Sequence, residues 1–274
     1  VNTIVVTAVQ PYSPNWSRTA QVQGFVDTLA PEITLGGIPA FTNSVIQTLS
    51  GTLVEPTIDQ PGGMMEIVHQ VVTPSGYTSS VVIGKVTAQG PFSFGVSLQE
   101  GTNTFVATAT DGGGLVGTAQ IVSIADLTGP SVSSVTSPAA GTYYATSTVP
   151  SVFTGDTADY PWGHSGLSAN STEFTLQRST DSKYWDGEGW DTLATFLPTT
   201  HATSTGDTVG SWTSSLALPT WVHDAYTVQT QATDRTGNTG AGTASTFFVD
   251  GVGPTISSLT PADGTITQSV YPTI

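Results

Sequence analysis

Apolar residues fall at every second position through several short runs of this chain. Asn2-Thr-Ile4-Val-Val6-Thr-Ala8-Val-Gln10, Asn103-Thr-Phe105-Val-Ala107-Thr-Ala109-Thr-Asp111 and Tyr226-Thr-Val228-Gln-Thr230-Gln-Ala232-Thr-Asp234 align with one another position for position. A period of two predicts strands with one face buried and one face wet. Threonine and valine suit that pleated, half-buried setting. Each run ends at a turn. Asp111-Gly-Gly-Gly114 and Asp234-Arg-Thr-Gly237-Asn238 are rich in residues that accept positive φ, and the first copy uses Pro11-Tyr-Ser-Pro14-Asn15. A second strand follows each turn (Thr19-Ala20-Gln21-Val22, Thr118-Ala119-Gln120-Ile121, Thr243-Ala244-Ser245). The repeated unit therefore ends in a hairpin.

Beyond each hairpin stands an aspartate, three residues and a proline: Asp27-Thr-Leu-Ala-Pro31, Asp126-Leu-Thr-Gly-Pro130 and Asp250-Gly-Val-Gly-Pro254. The phrase reads as a joint between tandem modules, with joints 99 and 124 residues apart. It divides the chain into the closing hairpin of a preceding module (1–27), a first complete module (28–127), a second with longer middle hairpins (128–251) and the opening of a third (252–274). Module openings also align. Val132, Val135, Pro138, Gly141 and Val149-Pro150-Ser151-Val152 match Ile256, Leu259, Pro261, Gly264 and Tyr271-Pro272-Thr273-Ile274. Further strands are predicted over 64–72, 80–86 and 92–98, then over 173–178, 184–190 around a turn, 193–197 and 209–216. No stretch has a helical period. About seven short strands in some 100 residues predict an all-β fold of tandem immunoglobulin-like β-sandwich domains arranged end to end.

Composition narrows the function classes. The net charge is −15, from 20 acidic and 5 basic residues, yet only 9% of residues are charged. Phosphate recognition needs clustered Lys and Arg, so neither nucleic acid nor an anionic membrane surface is an expected partner. The absence of cysteine removes disulfides and thiolate metal sites. No apolar run approaches the roughly 20 residues of a membrane-spanning helix.

The ending of the second module, Ala225-Tyr-Thr-Val-Gln-Thr-Gln-Ala-Thr-Asp234-Arg-Thr-Gly-Asn238 through Phe248-Val-Asp250-Gly-Val-Gly-Pro254, resembles the bacterial immunoglobulin-like repeats of large surface proteins. Gln177–Trp190 resembles a hairpin found in such repeats. The resemblance implies a structural, non-catalytic segment of an extracellular, cell-surface protein: a stiff rod or filament serving as spacer, adhesin stalk or surface assembly. Its partners would be neighbouring modules of a longer chain or head-to-tail copies of itself, with glycans as further candidates. Accessory carbohydrate-binding modules of a secreted hydrolase, or a viral or phage fibre, are the alternatives.

Candidate chemistry is sparse. The acidic group Asp181, Asp186, Glu188 and Asp191 lacks the ligand order of a calcium loop. It reads instead as a hairpin turned at Asp186-Gly187, with Trp185 and Trp190 across from each other. The joint aspartates Asp27, Asp126 and Asp250 could hold inter-module calcium together with Asp111 and Asp234. Aspartate before a turn more commonly caps backbone N–H groups, so no metal, catalytic or cofactor residue is assigned. His69, His164, His201 and His223 are scattered without metal spacing, His69 reading as a rim residue and His164 as a loop residue. Trp212 is expected in the core, with Trp162 and Trp221 as candidates for a surface patch. Asn15-Trp-Ser17 and Asn170-Ser-Thr172 fit the N-glycosylation pattern.

Overall fold

The computed structural model describes residues 2–9, 17–24, 27–56, 64–159, 164–201 and 205–257. A separate hairpin, β1 (Asn2–Val9) and β2 (Ser17–Gly24), opens the chain. The first module contains β3 (Glu32–Gly36), β4 (Phe41–Thr42), β5 (Ile46–Val54), β6 (Met64–Val72), β7 (Thr78–Val86), β8 (Gly90–Ser97), β9 (Gly101–Thr110) and β10 (Val116–Ala125). The second contains β11 (Val132–Ser137), β12 (Tyr143–Ala145), β13 (Thr154–Ala158), β14 (Glu173–Arg178), β15 (Tyr184–Trp185), β16 (Trp190–Asp191), β17 (Leu197–His201), β18 (Val209–Ser214), β19 (Asp224–Thr233), β20 (Thr239–Ala241) and β21 (Ser245–Asp250).

In the first module a sheet ordered β4-β10-β9-β6-β7 faces a sheet ordered β3-β5-β8. Alternate residues of both sheets meet between them: Leu49 and Leu53 from β5, Met65 and Ile67 from β6, Phe105, Ala107 and Ala109 from β9. The alternation predicted for 103–111 is borne out at every position, buried and part-exposed in turn along β9. The second module repeats this plan. Its β11-β13-β18 run continues through β17 into β14-β19-β21-β12, so β17 passes from one sheet to the other. Its core is aromatic. Phe153, Phe174, Trp212, Tyr226 and Phe247 are almost wholly buried, and Trp212 stacks on Phe174 at 6.0 Å.

One feature of immunoglobulin-like sandwiches recurs in two chemical forms. Tyr226, at the start of β19, donates its hydroxyl to the carbonyl of Val222 and accepts from the Val222 N–H. This is the tyrosine corner of such folds, tying a strand start to the chain a few residues upstream. Asn103 holds the matching place in β9. Its amide nitrogen donates to Gln99 O at 2.7 Å, and its amide oxygen accepts from Gln99 N at 3.0 Å. An amide thus replaces a phenol with the same four-residue reach.

The joints are built alike as well. Gly117 and Gly240 each follow their loop aspartate by six residues. A Cβ on Gly117 would stand 1.9 Å from the carbonyl oxygen of Pro31, and one on Gly240 would stand 2.0 Å from that of Pro130. The joint prolines therefore lie directly on the backbone of the module that follows them.

Several expectations need correction. The nine-residue β5 lies outside the predicted strands, although it anchors the smaller sheet of the first module. The strand expected over 193–197 is displaced to β17, because Leu197, Thr199 and His201 supply the inward alternation. The opening run 149–152 is not a strand; β13 follows it and takes that place in the sheet. The hairpin at Asp186-Gly187 forms with Trp185 opposite Trp190, their rings 5.6 Å apart.

Candidate metal centres at the module joints

Two strands of each module end at the pole that receives the preceding joint, an acid stands just past each end, and the joint brings in a third. In the first module Asp111 follows β9, Glu55 follows β5, and Asp27 comes in from the joint. One oxygen from each lies within 4.8 Å of the other two. In the second module Asp234 follows β19, Asp159 follows β13, and Asp126 comes in from the joint, again within 4.8 Å. The two triads occupy equivalent places. The sequence alignment had paired joint with loop aspartate. It missed Glu55 and Asp159, whose signal is an acid closing a strand just before a proline: Val54-Glu55-Pro56 and Ala158-Asp159-Tyr160-Pro161.

Glu55 and Asp111 are each only 7% exposed. Asp111 accepts the Leu115 N–H through Oδ1 at 2.8 Å, the turn cap expected of it. Its Oδ2 is buried with no hydrogen-bond partner. Asp27 Oδ1 accepts the Leu29 N–H at 3.1 Å. Gly113 lies beside both aspartates, where a Cβ would be 3.3 Å from Asp111 Oδ1 and 3.4 Å from Asp27 Cβ. Removing carboxylates from water without a counter-charge costs several kcal/mol each. Three of them around one point form a donor set for a hard divalent cation, which takes six to eight oxygens.

The second joint is richer. Asp126, Asp159 and Asp234 are fully buried. Asp126 Oδ2 accepts both the N–H (2.7 Å) and the hydroxyl (2.6 Å) of Ser165. Its Oδ1 has no hydrogen-bond partner and faces His164 Nδ1 at 3.8 Å. Asp159 Oδ1 lies 3.1 Å from that same nitrogen, and its Oδ2 accepts the Gly166 N–H at 2.9 Å. Glu100, from the first module, accepts the Leu127 N–H through Oε2 and stands 3.5 Å from His164 Nε2 through Oε1. Burial raises the pKa of Glu100 and of Asp159. The neighbouring carboxylates raise both further, and His164 works against them.

Asp234 is satisfied by its own turn. It accepts from Thr236 N, Thr236 Oγ1 and Asn238 N through Oδ1, and from Asn238 Nδ2 through Oδ2. The same Asn238 amide donates to the backbone carbonyl of Asp126 at 2.8 Å, stitching joint to module. Arg235 lies over the Phe41 ring of the first module, 3.7 Å from its centroid.

Other singled-out residues fall elsewhere. His69 is buried rather than on a rim. It stacks on Phe105 at 4.4 Å and bonds Asn103 Oδ1 through Nε2, and burial lowers its pKa. Trp221 is not on a surface patch. It packs among Phe153, Tyr226 and Phe247 with centroids 4.9 to 6.0 Å away. Trp212 fills the core as expected, 1% exposed. Asn15 and Trp162 lie outside the described residues, as does 258–274, where the third module was expected to open. Asn170 has φ of 52° and uses its side-chain oxygen to accept the His201 N–H.

No protein-family model matches this sequence, and no curated protein matches it. Among solved structures the chain is similar to a tetra-tandem repeat in the extending region of a large adhesion protein. Identity there is 19%, with a TM-score of 0.38, over 91% of this chain and 56% of that one. It is also similar to the fibronectin(III)-like modules of Clostridium thermocellum CbhA, at 12% identity and a TM-score of 0.25, over 80% and 94% of the two chains. A third likeness is to trypsin-activated alpha-2-macroglobulin from Escherichia coli, at 11% identity and a TM-score of 0.34, over 90% and 20%. The chain thus spans little more than half of the adhesion-protein repeat it matches. Its own sheets and two separate cores give the fold: all-β, with immunoglobulin-like sandwich modules in tandem.

Proposed function

We propose that this chain is a non-catalytic segment of an extracellular repeat protein, a spacer or adhesin stalk whose joints are stiffened by divalent cations, calcium first among them. The observation that carries the reading is the recurrence of one acid triad at equivalent places of two modules, each completed by the aspartate of the preceding joint. A cation there would tie the joint to two strand ends at once. It would also neutralise carboxylates crowded around one point.

The far pole of the second module supports the rod reading. Tyr143, His223 and Asp250 hold the places that Phe41, Glu100 and Asp126 hold in the first module, by the pairing of β12 with β21 and of β4 with β10. Those first-module residues are covered by Arg235 and His164 of the next module. Tyr143 is 70% exposed, stacked on Phe248, and borders a cleft of about 340 Å³. This pole is a joint surface ready for a following module. An exposed tyrosine stacked on a half-buried phenylalanine, beside acids, also suits a sugar ring, the second reading. Glycan binding that disappears in Tyr143→Ala would favour it.

Thermal melting with calcium and with chelator tests the primary reading. Calcium at 100 times its dissociation constant should stabilise by about 2.7 kcal/mol. For a module of this size that is a shift of roughly ten degrees or more. Superimposable curves sink the cation-stiffened rod.

A further inference from the structure

We propose that the second joint holds a second divalent cation position, formed by Glu100, Asp126 and His164, which accepts a nitrogen-preferring first-row ion such as zinc. This deepens the reading of the joints as cation sites and rests on it. Two overlapping donor sets meet at this joint. Asp126, Asp159 and Asp234 supply oxygen alone, as the triad of the first joint does. Glu100, Asp126 and His164 supply two carboxylate oxygens and a ring nitrogen, again within 4.8 Å of one another. Asp126 belongs to both sets, and two-metal sites place their ions about 3.5–4 Å apart across shared ligands.

Two independent observations point to a ligand in this second set. The side chain of Asp126 has no exposure at all, and its Oδ1 lacks any hydrogen-bond partner while aiming at His164. Glu100 Oε1 is likewise buried without a hydrogen-bond partner, 3.5 Å from His164 Nε2. Charge balance points the same way. Glu100, Asp126, Asp159 and Asp234 make four carboxylates around one histidine. Fully ionised, they carry more negative charge than a single divalent cation answers.

The donor types decide the ion. An imidazole suits zinc and its neighbours, with bonds of about 2.0–2.2 Å to nitrogen and carboxylate oxygen, whereas calcium takes oxygen alone. The side chains of His164 and Glu100 are 6% and 26% exposed, so the site is largely enclosed and His164 is not a surface histidine. Glu100 comes from the first module and His164 from the loop after β13 of the second, so the ion would bridge the two modules. In the first module the segment that follows Glu55, residues 56–63, contains no histidine to match His164.

Calorimetric titration of the calcium-saturated full chain with zinc tests the assignment. The expected result is one zinc equivalent per chain. It should vanish in His164→Gln and weaken by roughly tenfold or more in Glu100→Gln, since losing a ligand costs at least what losing its supporting partner does. His223→Gln should leave it intact, and calcium stoichiometry should not change in any of the three. Perturbation of the His164 ring resonances by zinc gives a readout that survives if a variant folds poorly. Calcium binding without a zinc equivalent, or zinc binding indifferent to His164→Gln, overturns the second position alone. Zinc binding that depends on His164 in a chain that takes no calcium upholds it while the calcium-stiffened rod falls.

Discussion

The two joints share a backbone and differ in how their acids are answered. At the first, Asp111 keeps a buried oxygen without a hydrogen bond, and the place of Asn238 is taken by Leu115. At the second, Asn238, Ser165 and His164 surround the equivalent acids with donors and bind Asp126 on both its side chain and its carbonyl. On the proposed reading, the same cluster would rely on a bound ion in one place and partly on fixed protein groups in the other. A fixed donor holds the joint at any calcium level. An ion would hold it only while present, so on that reading the first joint is the one that a change of medium loosens.

The comparison breaks hardest if the modules do not stand alone. Phe105→Ala in the first core and Trp212→Ala in the second should each cost about 3–5 kcal/mol. Each should lower one melting transition and leave the other in place. A single transition moving in both variants would make the two modules one cooperative unit. Next comes the ion itself. Asp111→Asn should abolish the calcium-dependent part of first-module stability, about 2.7 kcal/mol at 100 times the dissociation constant. The second-module transition should keep its response. Equal loss at both would erase the distinction between the joints.

Gly117→Ala and Gly240→Ala test what the joints have in common. Each places a methyl on a proline carbonyl oxygen and should cost about 1–3 kcal/mol. Similar losses sharpen the equivalence, and a loss at one alone denies it. The smallest effect is pH. His69 and His201 have pKa values lowered by burial, so their folded forms favour the neutral ring. The stability they contribute is present above pH 6.5 and falls as pH drops through the lowered values. Glu100 and Asp159 are raised, and their contribution runs the other way: present at low pH and lost as pH rises. Each module carries one such histidine and one such acid, so acidification from neutral pH should destabilise both as the histidines protonate. His69→Gln should flatten the first-module response.

The fold was largely legible because half-buried strands write their burial into a period of two. Residues 103–111 and 226–234 needed no more than that alternation. β5 was missed because Ile46–Val54 mixes Ser, Thr and Gly with its buried Leu49 and Leu53, and its middle glycine, Gly51, makes room for Phe92 rather than marking a turn. His69 was misplaced because alternation gives a face and not a depth; Phe105 and Asn103 are what bury it. Trp221 was misread for a related reason, since a residue in a polar loop can still fold back over a core.

What the sequence alone determined is local and periodic: the strands, the hairpin endings, the joint phrase and hence the modular plan. Strand propensity and turn chemistry act over a few residues, and repetition makes them visible. The acid clusters were decided by tertiary structure. Asp159, Asp234 and Asp126 are scattered over more than 100 residues, and Glu100 and His164 come from different modules. They meet because strand ends gather at one pole of a sandwich. Only there do the loss of water and the crowding of like charges turn ordinary turn-capping aspartates into a cation's donor set.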